Sequence, residues 1–286
     1  MIYSLVNRRI EDVPPDSFPT GVTRFDATLR RVFPDLRSIT PACLPTFTPD
    51  DVVIADNHLS LLVLDTTPTI VVHHGCAAAH WDADPAWHTD ETRAIVEQQR
   101  MMFERPRRLY VAPSSWVRDE FARRCGLAPD YARVIVNWVP RIARLDRVWP
   151  MRPVILHDAR DNNKGMSLMA ELARMKPDCD FRALCCATDA TRIAAYQAAD
   201  MYLCASASEG GSYSMADAEA AALPIVTTDC GNARDFRWCY GARRTSWGLA
   251  DGISGFTRRG PSFYDTYTLD VWAGLWRQAV GDARCA

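Results

Sequence analysis

The 286-residue chain is predicted to be an α/β protein built as two Rossmann-like halves. Three observations predict this. Short apolar runs alternate with stretches of helical periodicity along the chain, the pattern of strand–helix units that build parallel sheets. The alternation breaks over residues 137–150, an irregular stretch rich in Arg and Pro that suits a domain boundary. Apolar residues make up 48% and charged residues 24%, as in soluble globular proteins, and the length suffices for two ordinary domains.

In the first half, strands are expected near 2–6, 52–55, 69–73, 109–112 and 134–136, with helices between them. Val22, Phe25, Leu29, Val32 and Phe33 repeat at helical spacing, so a helix is expected over 22–33 with Gly21 at its entrance. In the second half, strands are expected near 154–157, 181–185, 201–204 and 225–228, and helices at 166–175, 190–199 and 214–222. A last helix near 269–280 carries Val271, Leu275, Trp276 and Val280 on one face. The expected domains are 1–148 and 149–268, with 269–286 returning to pack on the first. Two open sheets joined this way leave an interdomain cleft at the carboxyl ends of their strands, where ligands of such folds bind.

No run of about 18 apolar residues exists, so no transmembrane segment is expected. The first eight residues lack the basic–apolar–small order of a signal peptide, which points to the cytoplasm. The ten cysteines include no CxxC pair, and several, such as Cys185, Cys186 and Cys204, sit in apolar runs; buried reduced thiols are expected rather than a zinc site. Net charge is −2 but uneven: residues 1–99 hold 7 basic and 14 acidic side chains, residues 100–147 hold 11 and 5. The local excess of +6 suggests an anionic acceptor or peripheral contact with an anionic surface; the plainer reading is a solvated helix face. Only two of 33 basic residues are lysine, Lys164 and Lys176.

Two segments carry chemistry. Glu209, Gly210, Gly211, Ser212, Tyr213, Ser214, Met215, Ala216 and Asp217 form a glycine-rich turn opening into a helix. Backbone amides at such a place suit phosphate, and the carboxylates of Glu209 and Asp217 suit neutral hydroxyls; together they suggest a nucleotide sugar. Upstream, Arg160 and Lys164 lie four apart on a loop entering a helix, placed to compensate a departing diphosphate or, more simply, to cap a surface loop.

The ordered set resembles the retaining GT-B glycosyltransferases of family 4. It comprises Arg160, Lys164-Gly165, Ala199-Asp200, Ser206, Glu209-Gly210, Asp217 and Pro224-Ile225-Val226, with further matches in family order at His74-Gly75, Val134-Ile135-Val136-Asn137, Gly231 and Gly255-Phe256. The resemblance runs over roughly residues 20–260. It implies that Arg160 and Lys164 bind the donor diphosphate, that Glu209 faces the donor sugar, and that His74 lies near the transferred sugar. It further implies donor contacts at Gly210, Gly211, Ser212, Tyr213, Ser214 and Met215, a ribose contact at Asp217, and a donor-side place for Gly21. Asp217 stands where the family has glutamate, Gly211-Ser212-Tyr213 where a Phe-Gly pair is usual, and Ala159 where glycine is usual. The implied reaction moves a hexose from a UDP- or GDP-sugar to an acceptor hydroxyl, with no cofactor and no metal.

The acceptor is expected to be a glycan, a lipid-linked sugar or another anionic molecule. Asp82, Asp84, Arg105, Arg107 and Arg108 are the candidate acceptor-side residues. Asp82-Ala83-Asp84 also has the spacing of a DxD metal motif, but outside the expected nucleotide domain. Adjacent His73 and His74 at a strand end point to opposite sides and are ill-suited to one ion. Transfer to a hydroxylated DNA base, as in phage enzymes of GT-B architecture, and a nucleotide-sugar-binding module without activity are the alternatives.

Overall fold

A computed structural model describes residues 1–12, 20–143, 150–185, 188–236, 239–255 and 262–285. The chain divides into two compact units, residues 1–137 with 269–286, and residues 138–268. Phe256 and Cys186, named above, lie outside the described residues.

Unit 1 opens with six parallel strands: β1 (Ile2–Leu5), β2 (Arg37–Ile39), β3 (Val52–Asp56), β4 (Thr69–Val72), β5 (Arg108–Ala112) and β6 (Ala132–Val134). Their order across the sheet is β2-β1-β3-β4-β5-β6. The central strands read Val-Val-Ile-Ala and Ile-Val-Val without alternation, and all seven side chains are buried, as covering by helices on both faces demands. Helix α1 (Gly21–Val32) starts where the Thr20 side chain accepts from the Thr23 amide, and buries Phe25, Leu29 and Val32 at i, i+4 and i+7. Helices α2 (Ala77–Ala83), α3 (Asp90–Met101) and α4 (Ser115–Cys125) follow. Helix α4 ends because Gly126 takes a left-handed φ of 66° and returns its amide to Ala122.

Unit 2 runs β7 (Val154–His157), α5 (Met166–Met175), β8 (Asp180–Ala183), α6 (Asp189–Ala198), β9 (Met201–Cys204), α7 (Tyr213–Ala220), β10 (Ile225–Thr227), β11 (Cys239–Gly241) and α8 (Ser246–Gly255). Its strands are parallel in the order β11-β10-β9-β7-β8. Ile155, Met201, Leu203 and Val226 of the sheet pack with Leu172 of α5 and Leu249 and Ile253 of α8 in one core. The chain then enters α9 (Leu269–Cys285), which belongs to unit 1 and packs on β3, β4 and β5. Its apolar stripe of Trp272, Ala273, Trp276, Ala279, Val280 and Ala283 is buried. Phe25 meets both indoles, at 6.2 Å for Trp272 and 5.3 Å for Trp276.

The expected elements are present with small shifts. Strand β6 lies two residues earlier than read, and α9 extends five residues further. The edge strands β2 and β11, three residues each, have no periodicity to read. Strand β8 ends at Ala183, and Cys185 beyond it is exposed rather than buried. Cys76, Cys179, Cys204 and Cys230 are buried, and all nine described cysteines are free thiols. Among the described residues, no helix is long and apolar enough to cross a membrane.

Candidate active site

The winding of unit 2 reverses once. From β7 the chain moves outward to β8, then returns to the other flank of β7 to lay down β9, β10 and β11. Between β7 and β9 the loops leaving the carboxyl ends diverge, and such a switch point is where open α/β sheets bind ligands. The loop after β7 carries Asp158, Arg160 and Lys164; the loop after β9 carries Ser206 and Glu209.

The two loops are fastened to each other. Asn163 is 2% exposed. Its Nδ2 donates to the Ser208 carbonyl at 3.1 Å, its Oδ1 accepts from the Ser208 amide at 3.1 Å, and its carbonyl accepts from the Ala207 amide at 2.8 Å. Arg244, beyond β11, reaches back across the sheet: Nε donates to the Ala205 carbonyl at 3.0 Å, and Nη2 to the carbonyls of Asn162 and Asn163. Two glycines permit this closeness. Gly165 enters α5 at φ 86°, and a Cβ there would lie 2.6 Å from the Cβ of Ala205. Gly231 has φ 55°, and its Cβ would lie 2.9 Å from the Cβ of Glu209.

This framework brings Lys164 and Glu209 into an ion pair, with the ammonium on Glu209 Oε1. Ser206 Oγ donates to the same oxygen at 2.9 Å. Oε2 has no donor among the described residues, so half of the carboxylate is open to a ligand hydroxyl. The Lys164 and Glu209 side chains are 19% and 11% exposed. Burial pulls the Lys164 ammonium towards neutrality, but the charge and hydrogen bond of Glu209 outweigh it and raise its pKa above the ordinary lysine value.

Arg160 stands at the rim, 67% exposed, with Nε 2.7 Å from Asp158 Oδ1. Ser214 Oγ donates to Asp158 Oδ2 at 3.1 Å, tying the start of α7 to the same carboxylate. Burial raises the Asp158 pKa; Arg160 and Lys164 draw it down and Glu209 pushes it up. Ser212 caps α7, its Oγ accepting from the Met215 amide at 3.3 Å. The Met215 amide is therefore engaged and its side chain lies in the core. Gly210, Gly211 and Tyr213 are half-buried on the approach to this helix.

Asp217 lies in the interior of unit 2. It is 1% exposed, and its Oδ1 lies 2.6 Å from Nη1 of Arg192 on α6, itself 5% exposed. The pair ties α7 to α6.

In unit 1, His74 follows β4, half-buried, with Phe25 edge-on to its ring at 4.8 Å. Burial lowers its pKa and the charge of Asp56 only partly restores it, so the imidazole is neutral at pH 7. Its neighbour His73 is fully buried and stacks on Phe121 at 4.3 Å; burial pushes its pKa down to about 3. Gly21 is the first residue of α1. Asp82 pairs with Arg124 at 2.6 Å, and Asp84 caps the amide of Ala86 at 3.1 Å. Among the described residues no group of three His, Cys, Asp or Glu side chains is disposed to hold a metal ion.

The candidate acceptor arginines are largely engaged. Arg105 lies 3.1 Å from Asp65, and Arg107 Nη1 is 3.4 Å from the Thr66 carbonyl. Arg108 is a correction: its side chain is 1% exposed and donates to the carbonyls of Val63 and Thr67 and to the Thr69 hydroxyl, so it serves the interior of unit 1 and not an acceptor. Arg118, Arg123 and Arg124 pair with Asp119 and Glu120 at 2.8, 2.6 and 2.8 Å. Part of the +6 excess is met by acids from outside the segment, with Asp65, Asp82, Asp282 and Asp265 paired to Arg105, Arg124, Arg133 and Arg141.

The spacing of Arg160 and Lys164 marked one loop, and Glu209 the other. Asp158, Asn163 and Arg244 were not singled out. Asn163 could have been found beside Lys164; Arg244, some eighty residues from the loop it clamps, carries no sequence signal.

No protein-family model matches the sequence, and no curated protein matches it. Solved structures do share its fold. Sucrose-phosphate synthase from Thermosynechococcus elongatus aligns over 99% of this chain and 92% of its own, with 14% identity and a TM-score of 0.59. AviGT4, a glycosyltransferase of avilamycin A biosynthesis, aligns over 99% and 98% with 12% identity and a TM-score of 0.56. S. aureus TarM, in complex with fondaparinux, α-GlcNAc-glycerol and UDP, aligns over 82% of this chain with 13% identity and a TM-score of 0.58. The chain spans only 56% of that TarM chain and 58% of a chain of the GtfA/B complex. The fold is that of GT-B glycosyltransferases, with two Rossmann-like domains.

Proposed function

We propose that the chain is a retaining glycosyltransferase that moves a hexose from a nucleoside diphosphate sugar to an acceptor hydroxyl without a bound metal. The Lys164–Glu209 pair carries this reading, because it sets a cation and a half-open carboxylate on the two loops that flank the switch point. Arg160, exposed and resting on Asp158, is free to turn its fork to a diphosphate, with Lys164 beneath as a point charge. The N-terminus of α7, with Ser212 and Ser214, adds hydroxyls and a favourable dipole. Glu209 Oε2 accepts from hydroxyls of the donor sugar.

In the reaction the acceptor oxygen bonds to the anomeric carbon on the face that the diphosphate leaves. The bond from that carbon to the phosphate oxygen breaks, and the departing phosphate takes the acceptor proton. Arg160 and Lys164 stabilise the charge that gathers on it. The UDP in the TarM mutant complex supports a uridine donor, and its saccharide ligands support a glycan acceptor. The second reading is a nucleotide-sugar-binding module without transfer, suggested by aspartate at position 217 where the family has glutamate.

A thermal-shift panel of UDP- and GDP-sugars tests donor binding, since a selective donor raises the melting temperature. With that donor, Arg160→Ala should lower turnover by about 10²-fold. Near-normal transfer by this variant defeats the assignment, and absence of sugar release by the wild-type protein selects the binding module.

A further inference from the structure

We propose that unit 2 carries a second anion site, separate from the groups assigned to the donor diphosphate, that takes the phosphate of a phosphomonoester. A pocket of about 580 Å³ opens at the carboxyl ends of β9, β10 and β11, lined by Ser206, Thr228, Asp229, Arg234, Arg243 and Arg244 among others. Its volume suits a small organic ligand. Arg160, Ser212 and Ser214 do not line it.

The lining holds three guanidinium groups and one carboxylate. Arg234 takes that carboxylate, with Nη2 2.6 Å from Asp229 Oδ2. Two positive charges then remain side by side in sequence. No carboxylate pairs with Arg243 among the described residues. Arg244 donates to the carbonyls of Ala205, Asn162 and Asn163, which hold its fork but leave its charge uncompensated. Neighbouring like charges repel, and an incoming anion removes that cost.

The Arg244 fork and the backbone of Arg243 are held in place before any ligand arrives. Arg244 is fixed by its carbonyl partners. The backbone of Arg243 is fixed by α8: a Cβ at Gly248 would lie 2.7 Å from the Arg243 carbonyl oxygen and 3.0 Å from its Cβ, so the first turn of the helix rests directly on this residue. Ordering costs on binding are correspondingly small. Guanidinium forks match phosphate oxygens.

Ser206 joins this pocket to the reaction centre, since its hydroxyl donates to Glu209 while the residue lines the pocket. The phosphate is accordingly assigned to the acceptor, a step that rests on the glycosyl-transfer reading; the anion site itself does not.

The test is isothermal titration with inorganic phosphate, then with glucose 6-phosphate, at fixed ionic strength, on wild type, Arg243→Gln and Arg160→Gln. Arg243 is exposed, so its variant keeps the fold. The site predicts that Arg243→Gln weakens both ligands by about tenfold, the equivalent of about 1.4 kcal/mol, while Arg160→Gln leaves their affinity unchanged. Wild-type affinity in Arg243→Gln, or loss confined to Arg160→Gln, overturns it. Nucleotide-sugar binding is measured on the same samples and should be equal in wild type and Arg243→Gln. If no nucleotide sugar binds the wild type while phosphate still depends on Arg243, the donor reading fails and the anion site stands.

Discussion

Replacing Glu209 with Gln should cost unit 2 stability, and the cost should depend on pH. The amide keeps the size of the side chain and can still accept from Ser206, so the change isolates the charge facing Lys164. Breaking a buried ion pair from one side costs about 3–5 kcal/mol. This pair is not sealed, with side chains 19% and 11% exposed, which lowers the expectation to about 2–3 kcal/mol at pH 7. In the wild type, Glu209 raises the Lys164 pKa above its ordinary 10.5. The pair's contribution is therefore complete below that value and is lost only as pH rises through the folded-state pKa. In the variant, burial is opposed only by the weaker attraction of Asp158, and the folded-state pKa falls below the unfolded one. Its penalty is complete at low pH and fades as pH approaches 10. Urea denaturation at pH 7 and pH 10 reads both limbs, and Lys164→Met in the same molecule should recover most of the loss. A variant within 0.5 kcal/mol of wild type at pH 7, or a deficit no smaller at pH 10, refutes the reasoning.

Gly165→Ala combines a left-handed φ with a Cβ driven into Ala205 and should destabilise by about 2–4 kcal/mol; Gly241→Ala, where nothing lies within 4 Å, should stay within about 0.5 kcal/mol in the same denaturation series. Asp217→Asn should cost about 2 kcal/mol of stability by removing the buried acid from Arg192, which keeps its contact with Asp189, while folded molecules keep their nucleotide affinity; lost affinity with intact stability would restore the ribose contact.

The sequence makes the chemistry of the switch point readable because its residues are local. Arg160 and Lys164 fall in one loop, Ser206 and Glu209 in another, and each loop follows a strand whose apolar run is plain. Gly165 stands out for a related reason: only glycine fits a left-handed helix entrance pressed against a neighbouring loop. What the sequence hides depends on distance along the chain. Asp217 reads as a ligand until α6 and α7 pack and Arg192 meets it. Arg108 reads as part of a basic surface because nothing in residues 100–147 reveals that the carbonyls of Val63 and Thr67 will surround it. Counting charges by segment fails similarly, since parallel pairing brings Asp65 beside Arg105 from forty residues away.

Helix α9 has a consequence for how the protein is made. Residues 138–268 are contiguous, so unit 2 holds all its own strands once Thr268 has left the ribosome. Unit 1 begins first yet finishes last. The face of β3, β4 and β5, and the Phe25 ring beside it, wait for Trp272 and Trp276 to arrive after the whole of unit 2 has been synthesised. During that interval an apolar surface of unit 1 stands uncovered. A chain ending at residue 268 and released from the ribosome should therefore show a protease-resistant second unit and a chaperone-binding first one.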